Sequence, residues 1–260
     1  MFFHLYVLSF NLVKIPFDAG ANKKGSALFP EKFEKHFVPF KSYNVDTLTV
    51  RETLGQSYIN VWDSLLTKRF TCVVGGDHTV AIPSIFAANT YCNMNHQSLG
   101  ILWMDAHADF NTYATSVTKN LHGMPVAALC GHTLSNLCFG TPMEPSQFAY
   151  LGLRDMDSLE FLRLQEHNMT ILDVVHVSDW MKKFDKIHIS FDVDCLDPTI
   201  MPSVNTPVPN GLSVTQAKNI IKLVKDSGKM LSMDIVEFNP TISESPFEIL
   251  KFIFEDLLKD

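Results

Sequence analysis

Four separate apolar runs in this chain end in acids or imidazoles, and that repeated ending constrains the fold more than any other feature. Thr71–Val74 runs into Gly75-Gly76-Asp77-His78, and Leu99–Met104 into Asp105-Ala106-His107-Ala108-Asp109. Ile187–Phe191 runs into Asp192-Val193-Asp194, and Met230–Ile235 into Val236-Glu237. Short β-rich runs alternating with longer helical patterns read as an α/β fold with a mainly parallel sheet. In such a sheet the ligand crevice lies beyond the carboxyl ends of the strands. Delivering chemistry to one edge is what these endings do.

Two more strands are expected at Phe2–Leu8 and Phe148–Leu151. Helices are expected over Arg51–Phe70, over Val214–Ser227 with Ser213 as N-cap and Gly228 just beyond, and over Pro246–Leu258 with proline in the first turn. Asn111–Asn120 is polar, threonine-rich and without period, and reads as a loop. No repeat, linker or low-complexity tract divides the 260 residues, so one domain over 1–260 is expected.

Composition narrows the classes. With 46% hydrophobic and 19% charged residues, the chain has the balance of a globular protein with a sizeable core, not of a disordered one. No uninterrupted apolar stretch has the length of a membrane span. A net charge of −7 argues against nucleic acid as a partner. The apolar start, MFFHLYVLSFNLV, lacks the cationic residues and small-residue cleavage site of a signal peptide and reads as a buried first strand. Five cysteines without a C-x-x-C pair indicate free thiols, which makes the cytoplasm the expected compartment. The segment Gly20–Ser26 is close to a phosphate-binding loop, but it lacks the lysine required after the second glycine.

Any one of the strand-end acids, taken alone, reads as a helix cap or a turn residue. Together they read differently. A spacing of two puts Asp105, His107 and Asp109 on one side of an extended segment, and Asp192 with Asp194 repeats the device. His78 adds a second imidazole. Four carboxylates meeting with nothing between them repel strongly. Two divalent cations would balance their charge, and oxygen and imidazole donors without thiolate suit manganese, with zinc, cobalt or iron as other options. A pair of ions about 3.5–4 Å apart can hold a water between them and lower its pKa from about 15.7 towards 7, giving hydroxide at neutral pH.

These residues lie in blocks with a family likeness. GGDHT (75–79), WMDAHADFNT (103–112), NLHGMPV (120–126), LGLRDMD (151–157), SFDVDCLDP (190–198) and MDIVEFNP (233–240) resemble the arginase/agmatinase (ureohydrolase) family in order and spacing, over about 71–240. The resemblance implies a three-layer α/β/α fold, two manganese ions per subunit, and hydrolysis of a guanidino group to urea and an amine. It implies that His78, Asp105, Asp109 and Asp192 hold one ion, and His107, Asp105, Asp192 and Asp194 the other, with Asp105 and Asp192 bridging. It implies further that a metal-bridging hydroxide attacks, that Asp109 accepts its proton, that His122 shuttles a proton to the leaving amine, and that Glu237 pairs with the guanidinium.

The stretch from Asn111 to His122 is similar to the arginase loop that reads the substrate's α-carboxylate, which points to L-arginine as substrate and L-ornithine as product. Asn111, Ser116 and Thr118 are the expected carboxylate contacts and Asp157 the α-amino contact, with Thr206 also placed at the substrate. Agmatine, or another guanidino acid, is the alternative; a non-catalytic metal-binding member is the other. Four positions depart from the usual arginase pattern: Thr118 for serine, and Lys119, Cys195 and Asn205 for glycine. By resemblance, a homo-oligomer, trimer or hexamer, is expected.

Overall fold

The computed structural model describes residues 10–37, 42–44, 50–132 and 135–258. Among them eight strands form one sheet: β1 (Phe10–Ile15), β2 (Ser42–Asn44), β3 (Phe70–Gly75), β4 (Leu99–Met104), β5 (Phe148–Leu151), β6 (Thr170–Leu172), β7 (Lys186–Asp192) and β8 (Met230–Val236). Every pairing is parallel, in the order β2-β1-β3-β8-β7-β4-β5-β6. The expected strand at Phe2–Leu8 lies outside the described residues; β1 covers the last part of the apolar N-terminal run and continues to Ile15.

Successive strand residues face opposite sides, and each side carries its own core. Leu102, Met104, Ile189 and Phe191 pack with Phe29 and Phe33 of α1 (Phe29–Phe37), Ile220 and Ile221 of α7 (Val214–Asp226), and Phe254 of α8 (Phe247–Leu258). Ile101 and Trp103 pack on the other side with Leu54, Val61 and Leu65 of α2 (Val50–Leu66) and Ile82 and Ile85 of α3 (Ala81–Met94). Helix, sheet and helix layers follow, as expected. All six residues of β4 are buried, the continuous apolar pattern of a strand covered on both faces.

The expected helix ends hold where capping chemistry marks them. Ser213 accepts the Gln216 amide and Gln216 returns the bond, a full capping box, and Gly228 takes φ 70 beyond the helix. The helix expected over Arg51–Phe70 stops at Leu66, because Lys68 adopts φ 60 and Phe70 opens β3. No helix among the described residues is long and apolar enough to cross a membrane.

The strands that end in chemistry are neighbours. β3, β8, β7 and β4 stand side by side in the middle of the sheet, although β7 and β8 come late in the chain. The late pair is inserted between β3 and β4, a switch in strand order that opens a crevice at the carboxyl edge.

Candidate active site

The glycines after β3 place His78. A Cβ on Gly76 would stand 2.0 Å from the Phe17 carbonyl oxygen, so only glycine lets the chain pass there. Asp77 then caps the following 3-10 turn: its Oδ1 accepts the Thr79 amide at 3.0 Å and its Oδ2 the Gly20 amide at 2.7 Å. Gly20, in turn, accepts the His122 amide through its carbonyl at 3.3 Å. Gly20, at the head of the near phosphate-loop segment, is thus tied to Asp77 and to His122.

Three carboxylates share one device. Asp105 Oδ1 accepts the His107 amide at 2.8 Å, Asp192 Oδ1 the Asp194 amide at 2.8 Å, and Asp194 Oδ1 the Ala106 amide at 3.1 Å. One oxygen of each is fixed by backbone, and the other turns to an imidazole. His78 Nδ1 stands 3.0 Å from Asp105 Oδ2, 3.2 Å from Asp109 Oδ2 and 3.2 Å from Asp192 Oδ2. His107 Nδ1 stands 3.1 Å from Asp194 Oδ2 and 3.4 Å from Asp105 Oδ1. Two sets, His78–Asp105–Asp192 and Asp105–His107–Asp194, have ligand atoms all within 4.8 Å of one another. Asp105 belongs to both. Asp192, expected to bridge, is grouped with His78 and Asp105, and its Oδ1 accepts the Asp194 amide. Asp109 meets His78 and stands outside both sets.

The electrostatics favour a cation. Burial, and then the charge of Asp105, push the Asp109 carboxyl up to about 6. Asp192 rises well above the carboxylate range through burial, then Asp194 and Asp105. Burial opposes a charged His107, yet hydrogen bonds to Asp105 and Asp194 carry it to about 12. The cluster gathers more negative charge than it can hold alone, which a bound cation would offset. His78 Nδ1 is nevertheless a buried atom without a properly aligned hydrogen bond, despite three carboxylate oxygens around it. That is the geometry of ligands aimed at a common point, and the donor set fits a hard or borderline divalent metal.

A cavity of about 420 Å³ opens on the cluster, lined by His78, His107, Asp109, His122, Asp192 and Glu237, with Asn111, Thr118, Asp155, Asp157, Glu160 and Thr206 among the other walls. Of the expected substrate contacts, Ser116 is not brought there. It is 7% exposed and its hydroxyl accepts the Lys119 amide at 3.0 Å, so it shapes the loop and does not face the cavity. Lys119 lies back along that loop, its Nζ donating to the Tyr113 carbonyl at 2.6 Å. Asn205 receives a hydrogen bond from Asn239 Nδ2 at 2.9 Å, and its carbonyl accepts Lys23 Nζ at 2.5 Å, which ties the N-terminal loop to the end of β8. Cys195 is fully buried.

Two acids beyond the expected set line the cavity. Glu160 is 5% exposed, accepts the Phe110 amide at 2.8 Å, and is raised to about 8 by burial and then by Asp109. In sequence it is the last residue of Asp157-Ser158-Leu159-Glu160, a capping pattern, which hid it. Asp157 does cap α5 (Ser158–Glu166) through the Glu160 amide, but the Glu160 side chain turns inward. Asp155 Oδ2 stands 3.7 Å from His107 Nε2.

Glu237 and His122 face the cluster together. Glu237 sits at φ 67, an unusual value for a non-glycine residue. Its Oε1 accepts the His78 amide at 2.9 Å and meets His122 Nδ1 at 3.0 Å, while its Oε2 is buried without a partner. Burial disfavours a charged His122, but the Glu237 carboxylate outweighs it and raises the ring to about 9. In metal-free protein, NMR is expected to show His122 titrating near 9 and protonated at neutral pH. Manganese should then lower that value, because positive charge arrives beside Asp109. Titration at the ordinary imidazole value would deny the Glu237 pairing.

A parallel sheet that brings these carboxylates and imidazoles together beside an acid-lined cavity fits a hydrolase of the ureohydrolase class. The sequence model described as "Arginase family" matches residues 9–247, and the chain belongs to the arginase family. An arginase of Staphylococcus aureus (strain MRSA252) is 31% identical over 248 residues, covering 88% of this chain and 80% of the relative. The crystal structure of arginase from Bacillus subtilis superposes with a TM-score of 0.86 at 26% identity, covering 97% of this chain and 99% of that one. Formimidoylglutamase from Bacillus subtilis subsp. subtilis str. 168 shares the fold, with a TM-score of 0.77 at 16% identity over 96% of this chain and 86% of that one. The fold by itself therefore does not select the substrate.

Proposed function

We propose that this enzyme hydrolyses L-arginine to L-ornithine and urea, using two manganese ions held by His78, Asp105, His107, Asp109, Asp192 and Asp194. The observation that carries the reading is Glu237 Oε2, a buried carboxylate oxygen with no partner on the wall of the cavity. It is open to a cationic donor, and a guanidinium supplies charge and N–H groups in one plane. The residues around it supply the rest of the chemistry.

Bound divalent ions supply Lewis acidity and a water acidic enough to react at neutral pH. Glu237 orients the guanidinium so that its carbon faces the cluster, which matters because that carbon is resonance-stabilised and a poor electrophile. Asp109 lines the cavity beside His78 and is placed to take the proton released as water adds to the carbon. The C–N bond to the alkyl chain breaks, the departing amine takes a proton from His122, which faces the same cavity, and the proton held by Asp109 is passed back to restore the ring. Water plus the guanidinium thus gives urea plus an alkylammonium ion.

Asp155 and Asp157 add carboxylates for the α-ammonium group, and Asn111, Thr118 and Thr206 add neutral hydrogen-bonding groups for the rest of the substrate. Agmatine has no carboxylate to use the loop. Manganese-loaded enzyme assayed side by side is expected to show kcat/KM for arginine at least about tenfold above agmatine and 4-guanidinobutyrate, the worth of roughly one net hydrogen bond. Faster hydrolysis of agmatine would overturn the loop reading. Bound metal without urea release from any of the three would make the chain a non-catalytic member of its family.

A further inference from the structure

Behind His78 runs a line of buried polar side chains that the proposed reaction does not use. His78 Nε2 stands 2.8 Å from Ser190 Oγ, and Ser190 Oγ donates to Asp234 Oδ1 at 2.6 Å. Asp234 Oδ2 meets His188 Nε2 at 2.8 Å, and His188 Nδ1 meets Ser232 Oγ at 2.8 Å. Ser190 lies directly across from Asp234 in the β7–β8 register, and His188 across from Ser232. His78 is 1% exposed and the other four are wholly buried. Five polar side chains away from water are costly unless every donor and acceptor is matched. Here they are matched in one direction only.

As a carboxylate, Asp234 only accepts. It takes the Nε2 proton of His188 and the single hydroxyl proton of Ser190. With its hydrogen committed, the Ser190 oxygen can only accept from the next neighbour, so His78 must carry its proton on Nε2. The lone pair of His78 is then on Nδ1, the atom aimed at Asp105, Asp109 and Asp192. Ser232 closes the far end by donating to His188 Nδ1.

We propose that Asp234, acting through Ser190, is a positioning residue that sets the tautomer of His78 and so makes it a metal ligand. The inference rests on the reading of His78 as a ligand. It separates two variants that a packing role would rank differently. Asp234→Asn keeps the shape and reverses the line wherever His188 keeps its proton on Nε2: the amide oxygen then accepts from His188 and the NH2 faces Ser190. The Ser190 hydroxyl then donates to His78 Nε2, and the His78 proton moves to Nδ1. A His188 protonated on Nδ1 would instead accept that NH2 and leave the line as it is. Ser190→Ala removes the link without reversing it.

The test is manganese binding to the full chain by calorimetry and by metal analysis after dialysis, with melting temperature as a check on folding. Wild type is expected to bind two ions. Asp234→Asn should lose about 100-fold in affinity for one ion and Ser190→Ala about 10-fold, the span seen when groups that orient metal-ligating histidines are removed. The ion at Asp105, His107 and Asp194 should stay in both. Unchanged affinity in Ser190→Ala, or in an Asp234→Asn whose His188 imidazole 15N shifts place the proton on Nε2, would overturn the relay. Should Asp234→Asn fail to fold, Ser190→Ala decides alone: unchanged affinity refutes the proposal. A wild type that binds no ion defeats the metal reading itself, a separate result.

Discussion

Glu237→Gln is expected to lower kcat/KM on the guanidino substrate by roughly a thousandfold, since leaving a buried charge unpaired costs about 3–5 kcal/mol and each ~1.4 kcal/mol is tenfold. The substitution is conservative in shape. Its amide oxygen can keep the His78 amide and the His122 ring that Oε1 now holds. What changes is Oε2, which becomes an NH2 pointing at the place where the guanidinium N–H groups must lie. A donor then faces a donor, and the charge opposite the cation is gone. Most of the loss should fall on substrate binding. Metal content should hold, because Glu237 is in neither ligand set. Turnover within a few-fold of wild type would mean that the cation is held elsewhere, and the substrate assignment would fail with it.

What the sequence disclosed, and what it hid, follows from the length and environment of each element. The buried central strands β3, β4, β7 and β8 are continuous apolar runs, and their polar ends stand out against them. β2 and β6 are three residues each at the edges of the sheet and leave no comparable pattern. Helix α3 has no apolar stripe because residues Ala81–Asn89 are all buried, so helical periodicity is absent from it. In the site, spacing revealed Asp105, His107, Asp109, Asp192 and Asp194. It could not show that Ser116 turns into its own loop, or that Glu160 turns away from its helix end. Both depend on side-chain direction, which the residue order does not encode. The line from His188 to His78 was equally invisible, since it needs the cross-strand register of β7 with β8.

The sharpest prediction about the centre concerns Asp105, the one residue common to both ligand sets. Its Oδ2 serves the His78 side at 3.0 Å and its Oδ1 the His107 side at 3.4 Å. Asp105→Asn is therefore expected to weaken both ions at once, whereas Asp194→Ala should release only the ion on the His107 side. Ligand binding to the native state raises stability by RT ln(1 + [L]/Kd), so manganese should raise the melting temperature of wild type most, of Asp194→Ala less, and of Asp105→Asn hardly at all. Turnover should follow occupancy. Chelated wild type should be inactive and recover when manganese is added back, while Asp105→Asn should stay down by at least about a thousandfold, since Lewis-acid stabilisation is worth several kcal/mol. A carboxylate kept only to cap the turn after β4 would behave otherwise, because an asparagine oxygen can accept the same His107 amide. If Asp105→Asn shows the full manganese stabilisation, or if chelated wild type turns over at full rate, the cluster is structural and the catalytic groups lie elsewhere in the cavity.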